Sequence, residues 1–80
     1  MIEVVLYSKP GCCLCADVKD KLEALQAARA FHLRVVNILD DPGANEKFKE
    51  EIPVVFVNGK KAFKFHLDGE KFLKKLRSVG

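Results

Sequence analysis

The chain has no tryptophan, one tyrosine, one methionine, three prolines and five glycines in eighty residues. So few breakers exclude a collagen-like or Pro/Gly-rich disordered chain. No apolar run approaches the roughly 20 residues a membrane-crossing helix needs. A large excess of one charge is missing too, since 14 Lys/Arg face 11 Asp/Glu for a net charge of +3. Cysteine is absent everywhere except positions 12, 13 and 15. A disulfide-stapled scaffold needs cysteines spread along the chain, so that class is excluded. Redox chemistry and metal binding are left.

What is present fits one folded domain spanning residues 1–80, with 49% hydrophobic and 31% charged residues. Met1-Ile2-Glu3-Val4-Val5-Leu6 carries no basic stretch and reads as a strand rather than a secretory signal. The cytoplasm, where thiols stay reduced, is the expected compartment. Charge is unevenly placed. Residues 1–58 hold seven Lys/Arg and nine Asp/Glu, whereas residues 59–80 hold seven and two. The basic last quarter reads as a solvated helix face and an edge strand. It lacks any RNA-binding signature, so neither nucleic acid nor membrane is an expected partner.

Ile2 to Tyr7 is a nearly continuous apolar run with β-branched residues, the mark of a strand covered on both faces. Ser8-Lys9-Pro10-Gly11 breaks it. From Cys12 to about Ala28, Leu14, Val18, Leu22 and Leu25 recur at spacings of four, four and three, one stripe of a helix. His32 to Ile38 reads as a second strand, parallel to the first because a helix connects them. Asp40-Asp41-Pro42 is a helix start, with the helix running to about Glu51. Pro53 to Val57 is a third strand and Asn58-Gly59 a hairpin turn. Lys61 to His66 alternates, with Phe63 and Phe65 on one face. Asp68 caps a last helix, Gly69 to Val79, that turns Phe72, Leu73 and Leu76 inward.

Cys12 and Cys15 stand two residues apart where the first strand meets the first helix. The free N–H groups and dipole of a helix N-terminus favour negative charge on a thiol placed there. Lys9 adds a positive charge three residues upstream. One helical turn brings Cys15 back towards Cys12, close enough for a reducible disulfide. A nucleophilic thiolate beside a resolving thiol is what two-step disulfide exchange requires.

Tyr7-Ser8-Lys9-Pro10-Gly11-Cys12-x-x-Cys15 resembles the active-site segment of glutaredoxins in the thioredoxin superfamily. Ile52-Pro53-Val54-Val55-Phe56-Val57-Asn58-Gly59 resembles the strand and hairpin facing that site. The resemblance implies a thioredoxin-like α/β fold, with a four-stranded mixed sheet, three helices and the order β-α-β-α-β-β-α. It makes Cys12 the nucleophile and Cys15 the resolving cysteine of a thiol–disulfide oxidoreductase. Lys9, Tyr7, Ile52 and Pro53 would serve the substrate, Tyr7 packing beneath the loop. Pro53 would follow a cis peptide, turning the Ile52 backbone towards the site to pair with an extended substrate. Implied partners are disulfide-containing proteins or small thiols, with a reductase or thioredoxin-type donor restoring the dithiol. No tightly bound cofactor is expected; glutathione or another thiol reductant is the expected electron source, and the chain is expected to act as a monomer.

The chain departs from the family in two places. Cys13-Leu14 replaces the usual proline and aromatic between the cysteines. Lys61-Ala62-Phe63-Lys64-Phe65-His66-Leu67-Asp68 replaces the Gly-Gly segment that holds glutathione, which points to weak or non-obligate glutathione use. Cys13 is a bystander, a competitor for disulfide formation or a metal ligand. Two rival readings stay open. The three sulfurs can serve a metal or iron–sulfur carrier, or the domain can be a non-catalytic scaffold. His32 and His66 read as strand histidines rather than ligands.

Overall fold

The computed structural model describes residues 2–79 of the chain. Among these, four strands and three helices alternate as β1 (Glu3–Ser8), α1 (Cys13–Ala28), β2 (His32–Asn37), α2 (Pro42–Phe48), β3 (Val54–Val57), β4 (Lys60–Lys64) and α3 (Gly69–Val79). The order matches the sequence reading. A short 3-10 turn, Ile38–Asp40, separates β2 from α2.

The sheet runs β2-β1-β3-β4. β1 is central, parallel to β2 from Glu3↔His32 to Ser8↔Asn37 and antiparallel to β3 from Val4↔Val57 to Tyr7↔Val54. Its period of two therefore serves two layers. Val4 and Leu6 are fully buried with Val18, Leu22, Val55, Val57, Phe72 and Leu76, beneath α1 and α3. Tyr7 faces the other layer and stacks on Phe48 of α2 at 4.8 Å and on Phe56 at 5.4 Å between ring centroids. Among the described residues that layer is smaller, with four buried residues against eleven in the main core.

Local chemistry sets the element ends. Asp41 Oδ1 accepts from the N–H groups of Gly43 and Ala44 at 3.1 and 3.2 Å, with Pro42 opening α2. Asp68 Oδ1 does the same for Glu70 and Lys71 at 3.0 and 3.2 Å. Asn58 and Gly59 both take positive φ, 50° and 85°, as a tight hairpin turn demands. Asn58 also ties the turn to β1, accepting the Glu3 N–H at 2.9 Å.

Four expectations are corrected. The α1 stripe is Cys15, Val18, Leu22 and Leu25, whereas Leu14 stays 43% exposed. Both registers have helical spacing, and the cap at Cys12 turns the helix so that position 15 faces inward. α2 stops at Phe48 and is followed by one looser turn, in which Glu51 and Ile52 donate their N–H groups to the Phe48 carbonyl at 2.8 and 3.1 Å. β4 runs from Lys60 to Lys64 and carries Ala62 as a bulge between Lys61 and Phe63. Phe65 lies beyond the end of the strand and does not join Phe63 on the inner face. Phe63 packs on Phe72 at 6.2 Å, while Phe65 leaves the strand with φ +67°.

Candidate active site

The loop after β1 delivers the cysteines. Gly11 turns the chain at φ +81°, a conformation open to glycine, and the next residue caps α1. Cys12 is extended at φ −89° and ψ 109°, so its carbonyl opens the helix by accepting the Ala16 N–H at 3.1 Å. Its sulfur takes the role usually played by a serine or aspartate oxygen. Cys12 Sγ accepts the Cys15 backbone N–H at 3.2 Å.

The three thiols are free and sit at three depths: Cys13 exposed, Cys12 half-buried and Cys15 buried. Cys15 lies in a small apolar cluster with Ile38, Ala44 and Ile52, with Tyr7, Cys12 and Phe48 packed against it. Burial pushes its thiol up from 9.0 to about 11, and the hydrogen bond and charge of Cys12 add to the rise. A hydrogen bond from the Lys9 backbone and the Lys9 charge pull the other way. Cys15 is thus held protonated beside the Cys12 sulfur.

Ile52 completes the cluster, and Pro53 beside it is fully buried. The Ile52–Pro53 peptide bond is cis. The loop is pinned on both sides. Phe65 donates its N–H to the Pro53 carbonyl at 2.8 Å, and Lys61 Nζ meets Glu51 Oε1 at 2.9 Å, with Lys64 at 3.7 Å. The Lys61 ammonium holds the Glu51 carboxyl below the usual carboxylate range. The Ile52 N–H is already committed to Phe48, so only part of the expected backbone edge is open.

The structure brings Cys12, Cys15, Tyr7 and Ile52 into one cluster, with Pro53 adjacent to Ile52 in the chain. Tyr7 flanks the cluster within the Phe48–Phe56 aromatic group. Lys9 stands with Gly11, Cys12, Cys15, Lys19 and Val35 along a shallow groove of about 330 Å³ on the β2 side. Ile38 and Ala44, which create the burial of Cys15, were not singled out from sequence. Ile38 only ended an apolar strand, and nothing in its spacing tied it to the cysteines. Among the described residues no group of three His, Cys, Asp or Glu side chains is placed to hold a metal ion. One thiol faces solvent and another faces the core. No described helix is long and apolar enough to cross a membrane.

A parallel βαβ unit joined to a ββα unit, with a paired cysteine turn opening the first helix, defines a thioredoxin-fold protein of redox type. The model of the glutaredoxin-like domain (DUF836) matches residues 3–77, and the chain belongs to that family. Protein Ne2328 from Nitrosomonas europaea, solved by solution NMR, shares 26% identity over 92% of this chain and 89% of that one, with a TM-score of 0.81. Protein XcR50 from X. campestris shares 25% identity over 94% and 96%, with a TM-score of 0.72. Thioredoxin 1 from Thermosipho africanus, at 12% identity and a TM-score of 0.66 over 96% of this chain and 97% of that one, shares the fold. A search of curated proteins found no match.

Proposed function

We propose that the protein is a thiol–disulfide oxidoreductase that reduces protein disulfides or mixed disulfides through Cys12 and Cys15. One observation carries this reading: the half-buried Cys12 sulfur accepts a helix N-terminal N–H at 3.2 Å, while its buried neighbour keeps its proton. That difference supports different tasks for the two thiols.

The Cys12 thiolate attacks one sulfur of the substrate disulfide. A Cys12–substrate bond forms, the substrate bond breaks, and the departing sulfur takes up a proton. Burial of Cys15 persists after capture, but the charge and the acceptor that Cys12 added to the rise are removed, while the Lys9 contributions remain. Cys15 then loses its proton more readily and attacks Cys12 Sγ. The Cys12–Cys15 disulfide forms and the second substrate sulfur leaves as a thiol. Two electrons and two protons have passed to the substrate. Glutathione, another small thiol or a thioredoxin-type donor returns them. Ile52 offers its carbonyl to an extended substrate, a partial form of strand addition. The chemistry needs a single chain, consistent with a monomer, and a reducing compartment such as the cytoplasm.

Cys12→Ser and Cys15→Ser test the roles. The first variant loses all exchange. The second accumulates a mixed disulfide on Cys12, visible by intact-mass spectrometry. Full activity in Cys12→Ser overturns the assignment.

A further inference from the structure

Phe65 is out of place by two independent measures. Its φ of +67° lies in the left-handed region, which bulky residues rarely occupy. The residue is 38% exposed, so core packing does not account for the strain. Phe63, two residues earlier, fills the inner face instead. The conformation is fixed from both sides: the Phe65 N–H donates to the Pro53 carbonyl and the His66 N–H turns back to the Lys64 carbonyl, both at 2.8 Å. The strained residue is thus tied to the wall of the dithiol site. Strain held at such an edge points to contact with something outside the chain.

We propose that Phe65 is a specificity-determining residue whose ring receives an apolar side chain next to the disulfide cysteine of an extended, acidic segment of a partner protein. The assignment rests on the oxidoreductase reading and names its substrate class. Reach is sufficient. Ile52 packs with Cys15 and Pro53 adjoins Ile52. The Phe65 N–H is bonded to the carbonyl of the residue beside Ile52, and an extended chain advances about 3.3 Å per residue, so a side chain one or two positions from the attacked cysteine reaches Phe65. The acidic preference follows from charge. Lys64 Nζ stands 5.5 Å from the Phe65 ring centroid, and Lys64 and Lys61 share the single carboxylate of Glu51 at 3.7 and 2.9 Å, which leaves a net positive charge beside the ring. A negative segment is steered to this edge and a positive one repelled.

The test uses the full chain and two acidic peptide disulfides, identical except for leucine or glycine beside the cysteine. The wild type is expected to prefer the leucine peptide by about tenfold in kcat/KM, the scale of partly burying a leucine. Phe65→Gly reduces that ratio to near one, and Phe65→Tyr keeps it. The melting temperature of Phe65→Gly stays level or rises, because glycine accepts positive φ, which separates lost recognition from lost folding. Equal rates on both peptides in the wild type, or an undiminished ratio in Phe65→Gly, overturn the assignment and leave the oxidoreductase reading standing. So does a lysine-flanked version reduced as well as the acidic one. If the wild type reduces none of the peptides, both readings fall.

Discussion

Cys15 should resist alkylation in the folded protein far more than its sequence position suggests. Its thiol is raised from 9.0 to about 11, chiefly by burial among Ile38, Ala44 and Ile52. Two units mean about 100-fold less thiolate at any pH below about 9. Since the thiolate is the nucleophile, alkylation slows by at least that factor, and shielding slows it further. The assay is limiting iodoacetamide at pH 8 under reductant, followed by tandem mass spectrometry of the peptide that carries all three cysteines. Label is expected on Cys12 and Cys13 first, with Cys15 labelled about 100-fold more slowly than in guanidinium. In Cys12→Ser the hydrogen bond and charge contributed by the Cys12 sulfur are gone, so Cys15 speeds up, though burial keeps it slower than in the unfolded chain. Equal labelling of Cys15 in folded and unfolded samples refutes the reasoning.

Stability should fall as pH rises from about 9 to about 11. The unfolded chain releases the Cys15 proton first across that window, by a difference of at most about 3 kcal/mol. Urea titrations of the reduced protein check this, and Cys15→Ala flattens the slope. Leu22→Ala removes a fully buried side chain from the main core and should cost about 2–5 kcal/mol, enough to unfold much of an eighty-residue chain at ambient temperature by circular dichroism. Asp68→Ala deletes the cap that holds the Glu70 and Lys71 N–H groups and should cost about 1 kcal/mol, read from the denaturation midpoint.

Much of this was legible because its causes are local. Cys12 and Cys15 lie one turn apart, Asn58-Gly59 dictates its own hairpin, and Asp41 and Asp68 cap the helices they precede. The misplacements had non-local causes. Leu14 and Cys15 offer two helical stripes that differ by one position, and only the cap formed by the Cys12 sulfur selects between them. Phe65 continued a period-two pattern on paper. The strand ends at Lys64, the His66 N–H turns back to the Lys64 carbonyl, and the Pro53 carbonyl captures the Phe65 N–H, a partner twelve positions away. Glu51 fitted the end of a helix, yet its pairing with Lys61 draws it to β4. Nothing in the spacing of Ile38 or Ala44 announces that they bury a thiol.

The most direct measurement is a redox titration in glutathione or dithiothreitol buffers, with mass-spectrometric mapping of the linkage. The account predicts a reversible loss of two protons and two electrons, a bridge joining Cys12 to Cys15 with Cys13 still free, and a potential of roughly −200 to −270 mV. A bridge through Cys13, or no intramolecular couple at all, contradicts it.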